Sequence, residues 1–539
     1  MDILIGGAWP YANGALHIGH IAALLPGDVL ARWYRATGNR VCYVSGSDCH
    51  GTPVSIRARQ EGRPPAEISD YWHEMFVATF RKYRFSYDSY GKTSDEGHKA
   101  FVQSFHRSLY EGAHVEERTV RQAWCAHCDR FLADRYVTGR CPACGTPARG
   151  DQCEACGAVT DPETLLEPVC ALCGATPEPR ESKQLFLLLS HFQRHLEAWL
   201  DAHPQWRRNA HETTARYLRE GLRDRAITRD LDWGIPVPRA DYDQKRIYIW
   251  AENVLGYLSG CAAWCASQGI GFRDFWNEAF RIFVHGKDNI PFHTVILPGL
   301  LLAENGDEAG WRLPDQIVSS EYLTLEGRKI STSGNWSIDA LELAGEAPVD
   351  SIRFFLLANG PEKRDADFSR RDFIQRHNAE MIGIYANLAN RCLTFVEKYL
   401  GGVVPAGAPS PWLEQAVTDA YRLVGEDVRA GEFKRALETV FSIFRLGNRH
   451  FDAGKPWETR MADPEACRAT LADCLYLIAN GCRLANPFLP ESTEEVLGWL
   501  GLDAGWTPVR TRAGWRLPAF RRLFARLETA EDAGPRACG

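Results

Sequence analysis

Short apolar runs alternate with helical repeats at the start of the chain. Residues 3–5 and 41–44 form uninterrupted apolar runs, which are typical of strands buried on both faces. Between them, apolar positions recur at helical spacing over 18–25, and Pro26 is expected to end or kink this helix before a second one over 29–34. This strand–helix–strand order predicts the start of a doubly wound α/β sheet.

The pattern changes twice further along the chain. From about 119 to 180, glycine, proline and pairs of cysteines replace the alternation, which predicts a small metal-binding domain inserted into the sheet. Strand-like segments over 247–250 and 281–284 predict that the sheet then resumes. Beyond about 375 only helical repeats remain, for example from Met381 to Tyr399, so the last third is expected to be an α-helical bundle.

Composition and charge are those of an ordinary globular protein. Of the 539 residues, 45% are hydrophobic and 24% are charged. The formal net charge of −7 gives no indication of a nucleic-acid partner. No apolar run reaches the about 18 residues of a membrane-spanning helix, and the N-terminus lacks the features of a secretory signal. We therefore expect a cytoplasmic protein with no membrane partner, in which cysteines favour metal binding over disulfides.

Eight of the 17 cysteines form four C-x2-C pairs. Thiolates at this spacing are typical ligands of tetrahedral structural zinc, so the sequence predicts two zinc ions. The spacing alone does not decide which pairs share an ion. The pairs are Cys125 with Cys128, Cys141 with Cys144, Cys153 with Cys156, and Cys170 with Cys173.

Two short motifs carry candidate phosphate chemistry. His17, Gly19 and His20 lie where the first strand passes into the first helix, and a helix N-terminus favours an anion. The two imidazoles can donate hydrogen bonds to phosphoryl oxygens. Far downstream, Lys329 begins a hydroxylated loop over 329–333 that suits a leaving pyrophosphate. Alone, the histidine motif is equally well explained by chance, and the lysine loop is better explained as a solvated surface loop.

Together the two motifs resemble the signature sequences of class I aminoacyl-tRNA synthetases. The surrounding residues narrow the resemblance to the methionyl-tRNA synthetase family, and the matching segments occur in order from residue 8 to about residue 500. These segments are Pro10 to Gly14 with His17 to His20, Asp48 to Pro53, the four cysteine pairs, Trp250 to Tyr257, Gly286 to Asp288 with Phe292 and His293, Asn387 to Arg391, and Pro456 with Trp457.

The resemblance implies an architecture and an activity. The family joins a Rossmann-like catalytic domain with inserted zinc knuckles to an anticodon-binding helical bundle, and it activates L-methionine with Mg²⁺ and ATP before transfer to tRNA(Met). Because little chain follows the bundle, a monomer is expected. The implied divisions are the first catalytic half over 1–118, the knuckles over 119–180, the second catalytic half over 181–325, the signature-loop linker over 326–375, the anticodon bundle over 376–505 and a C-terminal extension over 506–539.

The resemblance also assigns roles to single residues. The implied ATP ligands, on phosphates and ribose, are His17, Gly19, His20, Gly286, Asp288, Lys329 and Thr332. The implied methionine ligands are Asp48 for the ammonium group and, for the side chain, Tyr11, Trp250, Tyr257 and His293. The implied anticodon contacts are Asn387, Arg391 and Trp457. The implied zinc pairing is nested, with Cys141, Cys144, Cys153 and Cys156 on one ion and Cys125, Cys128, Cys170 and Cys173 on the other.

Several positions depart from the family pattern. Thr332 stands where the signature loop usually has a second lysine, which removes one positive charge from the phosphate side. Ser47 replaces an acidic residue that often precedes the ammonium ligand. An apolar pocket separates side chains that differ by one methylene by only about 1–3 kcal/mol, so the amino-acid preference stays open. The pocket itself varies at Trp9, Asn253, Val254 and Asn289.

Two alternatives to a methionine ligase remain. A ligase of the same fold could activate another small apolar amino acid, or could serve an acceptor other than tRNA. A zinc-containing RNA-binding or regulatory protein without catalysis would bind RNA but form no adenylate. The histidines, Asp48 and Lys329 argue against the second alternative, because RNA binding alone does not need them.

Overall fold

The fold is built around a five-stranded parallel sheet. The computed structural model describes residues 1–132, 136–150, 153, 155–156, 160, 164–305, 310–331 and 336–528. Within those residues, no helix combines the length and the apolar character needed to cross a bilayer. From one edge of the sheet to the other, the strands are Gln316–Ser320, Phe280–Gly286, Asp2–Gly7, Arg40–Ser47 and Ser89–Lys92.

The order of these strands creates a crevice at their carboxyl ends. Asp2–Gly7 pairs with Arg40–Ser47 on one side and with Phe280–Gly286 on the other, so the winding of the chain reverses beside the first strand. Ligands of doubly wound sheets bind at this reversal, outside the carboxyl ends of the strands. The prediction of a doubly wound α/β sheet is confirmed.

Alternate residues of the central strands enter two separate hydrophobic cores. Ile3 and Ile5 pack into one core and Leu4 into the other, which is why the strand needs an unbroken apolar run. Helices therefore cover both faces of the sheet. In this part of the chain they are Ile18–Ala36, Thr52–Glu61, Pro65–Lys82, Glu96–Glu111, Gln193–Asp201, Arg208–Arg219, Ile249–Glu252, Gly256–Gln268, Phe272–Glu278 and Leu297–Asn305, with 3₁₀ turns at Leu189–Phe192, Asn253–Leu255 and Lys287–Asn289 and a π turn at Phe292–Ile296.

The helix Ile18–Ala36, here called the signature helix, is continuous. The predicted division into two helices is wrong, because Pro26 lies inside this single helix of 19 residues. A proline at that position removes one intrahelical hydrogen bond. Thirteen of the helix's residues are buried, however, and their packing stabilises it more than local propensity does.

An antiparallel insertion separates the two halves of the central sheet. Its long hairpin pairs Val115–Cys125 with Glu178–Leu187. This agrees with the predicted inserted domain. The shorter strands are Arg130–Phe131 and Arg225–Ala226 on the hairpin, and Val137–Arg140, Pro147–Arg149 and Leu166–Cys170 in a separate three-stranded sheet among the cysteines.

The strand predicted over 247–250 is largely wrong. Only Arg246–Ile247 forms a strand, paired with Thr228–Arg229, and the helix Ile249–Glu252 starts two residues after it. A short buried apolar run does not by itself distinguish strand from helix. The neighbouring prediction over 281–284 is confirmed within Phe280–Gly286.

A small sheet and a helical bundle complete the chain. The sheet places Leu323–Leu325 between Arg328–Lys329 and Ala366–Phe368, next to the helices Ala340–Glu346 and Val349–Ala358. The predicted bundle is confirmed, and no strand longer than an isolated bridge follows 368 in the described residues. Its helices are Arg370–Arg376, the π segment His377–Ala386, Asn387–Tyr399, Pro411–Arg429, Phe433–Gly454, Pro456–Ala462, Pro464–Ala485 and Pro490–Trp499.

A buried ion pair joins the signature helix to the helix Val349–Ala358, which contacts the bundle. Nη2 of Arg353 donates to Asp28 at 2.7 Å, and both side chains are fully buried. The same guanidinium donates to the carbonyl oxygens of Pro487 and Phe488. Burial alone would raise the pKa of Asp28, but Arg32 and Arg353 hold it at about 2. The carboxylate is therefore charged at neutral pH, and the helix that carries the two histidines is fixed against the bundle.

Candidate active site

A cavity of about 390 Å³ opens at the carboxyl ends of the central strands. It lies at the reversal of winding, beside Asp2–Gly7 and Phe280–Gly286. Ten of the residues predicted from the sequence line it, and they come from four separate stretches of the chain. They are Tyr11, His17, Gly19, His20, Trp250, Tyr257, Gly286, Asp288, His293 and Lys329. Thr332 lies outside the described residues.

The two histidines cap the start of the signature helix. The backbone N–H of Gly19 donates to Nδ1 of His17, and the backbone N–H of His17 donates to Nδ1 of His20, both at 3.1 Å. Because both Nδ1 atoms accept, each neutral ring carries its proton on Nε2. Burial lowers the pKa of His17 to about 4 and that of His20 well below its usual range. Near pH 7 the stacked rings are therefore two uncharged N–H donors at the cavity.

Gly19 is required by close packing at this helix start. A Cβ at this position would lie 3.0 Å from the ring of His17 and 3.4 Å from Ile330. Gly286, in contrast, has open space around its Cα. The first glycine keeps the histidine ring in place, and the second leaves the backbone after its strand accessible to a ligand.

An aromatic wall forms another part of the cavity. The rings of Trp250 and Phe292 are stacked with centroids 3.6 Å apart, and Tyr11 meets Trp250 edge-on at 6.1 Å. Deeper in, Nδ1 of His293 donates to the carbonyl oxygen of Asn289, so its Nε2 accepts from the hydroxyl of Tyr257 at 2.7 Å. Burial lowers the pKa of His293 to about 4, and the ring is neutral. Such a wall suits a polarizable, uncharged side chain.

Asp48 is fully buried beside the cavity. Its backbone N–H and carbonyl form hydrogen bonds of 2.8 Å with residues 10 and 12. Nδ2 of Asn253, which lines the cavity, donates to Oδ2 of Asp48 at 2.9 Å. Burial, and then the neighbouring carboxylate of Glu252, raise the pKa of Asp48. A cationic group that enters next to it would stabilise its charged form.

The other end of the cavity joins Asp288 to Lys329. The hydroxyl of Tyr322 donates to Oδ1 of Asp288, and Nζ of Lys329 lies 5.6 Å from the centroid of the Tyr322 ring. Among the described residues, Lys329 is the one lysine or arginine that lines the cavity. This end therefore combines a carboxylate, a cation and the two neutral histidine donors.

Three residues of this site receive no role from the sequence: Tyr322, Phe292, which is named only within a matching segment, and Asn253, which is named only as a varying pocket position. Tyr322 follows the edge strand Gln316–Ser320, whose carboxyl end is a position where ligand-binding residues occur. Asn253 and the adjacent Glu252 are polar residues within a largely apolar buried stretch, which is a usable signal. Phe292 stands in a segment that the resemblance covers, but nothing in its spacing shows that it stacks on Trp250.

The eight paired cysteines form two clusters of four sulfur atoms. Within each cluster the ligand atoms lie within 4.8 Å of one another. Sulfur–sulfur distances include 3.4 Å for Cys125 and Cys173 and 3.6 Å for Cys144 and Cys153. Tetrahedral zinc with Zn–S bonds of about 2.3 Å separates its sulfur ligands by about 3.8 Å, so both clusters fit this ion. The grouping is the nested one that the resemblance implies.

The three residues expected at an anticodon lie on one surface of the bundle. Nδ2 of Asn387 donates to Asn448 at 2.9 Å, and Nη2 of Arg391 donates to Asp452 at 2.6 Å. The Arg391 guanidinium also lies 4.4 Å from the ring centroid of Phe451, which neighbours Trp457 at 6.1 Å. Trp457 is 45% exposed, so core packing does not explain it.

Two family models match almost the whole chain. The model described as "tRNA synthetases class I (M)" matches residues 3–393, and "Anticodon binding domain of methionyl tRNA ligase" matches residues 404–523. Similar curated proteins include methionine--tRNA ligase 1 of Alkaliphilus oremlandii (strain OhILAs), 48% identical over 532 residues, and methionine--tRNA ligase of Bacillus mycoides (strain KBAB4), 48% identical over 536 residues. Each alignment covers 98% of this chain and 98% of the relative.

Solved structures share the fold. The methionyl-tRNA synthetase of Mycobacterium tuberculosis bound by methionyl-adenylate superposes with a TM-score of 0.81 at 24% identity, over 97% of this chain and 100% of that one. Its free-state structure gives a TM-score of 0.74 at 23% identity. At this level of identity the likeness concerns the fold alone.

Proposed function

The chain belongs to the class I tRNA synthetases for methionine, and we propose that it activates L-methionine with ATP and transfers it to the 3′ end of tRNA(Met). One observation carries the proposal beyond family membership. A single cavity is lined both by phosphate-suited donors and by an aromatic wall suited to a thioether. In such a cavity, the carboxylate of methionine would bind next to the phosphates of a nucleoside triphosphate.

In the first step, a methionine carboxylate oxygen attacks the α-phosphorus of ATP, and pyrophosphate leaves. His17 and His20 would donate their Nε2–H groups to phosphoryl oxygens, and Lys329 would neutralise charge on the leaving group. Asp288 would accept from the ribose hydroxyls, beside the open backbone of Gly286. Magnesium accompanies ATP and shields its phosphate charges. No protein nucleophile is needed, because positioning and charge stabilisation supply the catalysis.

The amino acid would lie between Asp48 and the aromatic wall. Its ammonium group would pair with the Asp48 carboxylate, which has no positively charged side chain as a hydrogen-bond partner among the described residues. Its thioether would contact Tyr11, Trp250, Tyr257 and His293, where sulfur–aromatic contacts are favourable. In the second step, a terminal ribose hydroxyl of tRNA attacks the acyl carbon and AMP leaves.

Methionine-dependent exchange of pyrophosphate into ATP tests the first step. A panel of methionine, isoleucine, valine, cysteine and leucine tests the amino-acid preference. We expect exchange with methionine, followed by aminoacylation of a tRNA with a CAU anticodon. Preference for another amino acid would support the related-ligase alternative, and RNA binding without exchange would support the non-catalytic one.

We propose that Trp457 stacks on an anticodon base. Trp457→Ala should raise the KM for tRNA about 5- to 150-fold, because stacking contributes about 1–3 kcal/mol per base. Pyrophosphate exchange should stay unchanged, because it needs no tRNA. Aminoacylation kinetics measure the first effect. Trp412→Ala is a matched control, since this tryptophan is also exposed on the bundle, and loss of exchange in Trp457→Ala would instead indicate a folding role.

We propose that each cysteine cluster holds one structural Zn²⁺. Elemental analysis of the purified protein should give two zinc ions per chain. Cys125→Ser should remove one ion and Cys141→Ser the other, because each substitution breaks a different set of four thiolates. Cys392→Ser, which changes a buried thiol outside both clusters, should keep two. One zinc per chain in the unmodified protein would contradict the proposal.

The remaining assignments follow from this role. We propose the six divisions given above as functional units, with the knuckle insertion near the acceptor end of tRNA and the bundle at the anticodon. A role in translation supports action in the cytoplasm. The monomeric state stays a prediction, which light scattering checks.

A further inference from the structure

Tyr322 contacts both chemical groups at the nucleotide end of the cavity. It follows the strand Gln316–Ser320, and its backbone N–H donates to Oδ1 of Asp365 at 2.9 Å, which fixes its position. Its hydroxyl donates to Oδ1 of Asp288. A charged carboxylate can only accept hydrogen bonds, so this donor orients Asp288 and leaves its other oxygen available.

The ring of Tyr322 also lies close to two cations that differ in their partners. Nζ of Lys287 lies 4.0 Å from the ring centroid and is held by Glu321 and Asp365, each at 2.7 Å. Nζ of Lys329 lies 5.6 Å from the centroid and forms no ion pair with a carboxylate in the described part of the chain. A cation within about 6 Å of an aromatic face is attracted to it. Within the described residues, the Tyr322 ring is therefore a contact that holds the Lys329 ammonium near the cavity.

We infer that Tyr322 is a positioning residue shared by the ribose and phosphate subsites. Its hydroxyl presents Asp288 to the ribose, and its ring keeps the Lys329 ammonium beside the phosphates before they arrive. A group that is already held near its target loses less freedom when it binds. The need to hold Lys329 in place is strong in this chain, because Lys329 is the one lysine or arginine among the described residues that line the cavity. The inference rests on the proposed function.

Two substitutions of Tyr322 separate the contribution of its hydroxyl from that of its ring. Tyr322→Phe should raise the KM for ATP about tenfold, because a hydrogen bond to a charged group is lost, with little change in kcat for pyrophosphate exchange. Tyr322→Leu should show the same KM and, in addition, lower kcat about fivefold, because the cation–π contact is lost. In a Lys329→Ala background, the change from Phe to Leu should have no further effect on kcat. Equal kcat values for Phe and Leu, or additive losses with Lys329→Ala, would overturn the inference.

Nucleotide binding measured by calorimetry separates this inference from the proposed function. The wild-type protein should bind ATP more tightly than 2′,3′-dideoxy-ATP, and Tyr322→Phe should reduce that preference several-fold. An unchanged preference, with both nucleotides weakened alike, would show a general structural role and contradict the inference. Tyr242→Phe is the matched control, because its hydroxyl also donates to a carboxylate, Glu117 at 3.1 Å, away from the cavity. Absence of exchange in the wild-type protein would refute the proposed function, and the binding preference would still test Tyr322.

Discussion

Replacing His20 by alanine is expected to lower kcat for methionine-dependent pyrophosphate exchange about 10²–10³-fold, the usual cost of one transition-state donor. The physical reason is the tautomer. Nδ1 of His20 accepts the backbone N–H of His17, so the proton on Nε2 is the one available to a phosphoryl oxygen. Because burial keeps the ring neutral, the loss is that of a directed hydrogen bond and not of a charge.

His20 would therefore act as a neutral hydrogen-bond donor and not as a cationic catalyst. A charged imidazole would lose activity as the pH rises through its pKa, whereas the neutral donor predicts that His20 contributes no titration to kcat between pH 6 and 8. His20→Gln, which can place an N–H near the same point, should keep more activity than His20→Ala. His377→Ala is the control, because this buried histidine bonds Ser351 and residue 525 in the bundle. Near-wild-type pyrophosphate exchange in His20→Ala would show that the motif of His17 and His20 does not act in adenylate formation as proposed.

The central sheet is predictable from sequence for a definite reason. The predicted strands over 3–5, 41–44 and 281–284 are buried on both faces, and the unbroken apolar runs at 3–5, 41–44 and 282–284 suit that burial. Pro26 marks the limit of such reasoning. Its intrinsic preference is against helix, but the packing of the signature helix on the sheet outweighs the lost hydrogen bond. Helix propensity describes the cost of placing proline in a helix, but it does not describe the tertiary contacts that offset this cost.

The site is predictable only where residues carry their chemistry in a short motif. His17 and His20 stand in one tetrapeptide, and the paired cysteines have a fixed spacing. Asn253 and Tyr322 gain their roles from partners more than 30 residues away, Asp48 and Asp288. Such contacts depend on the strand order of the sheet. The fold itself brings them together, and no local pattern encodes them.

Asp48→Asn should raise the KM for methionine about 30-fold to several thousand-fold and leave the KM for ATP unchanged. Removing one partner of a buried, hydrogen-bonded charge pair costs about 2–5 kcal/mol. Asp48 is fully buried, and burial together with Glu252 raises its pKa. Only the ionised carboxylate attracts an ammonium group, so the wild-type KM for methionine should rise as the pH falls towards that pKa. Asparagine does not titrate, and this acid limb should disappear in the variant.

A pair of inhibitors distinguishes charge pairing from a general disturbance of the pocket. L-Methioninol carries the ammonium group, and 4-(methylthio)butan-1-ol lacks it while keeping the thioether that the aromatic wall would bind. The wild-type protein should prefer methioninol, and Asp48→Asn should lose most of that preference without changing its affinity for the second compound. Equal weakening of both compounds would mean that Asp48 shapes the pocket instead of binding the ammonium group. Retention of the full preference would show that the ammonium group binds away from Asp48, which among the described residues is the one carboxylate hydrogen-bonded to the cavity residue Asn253.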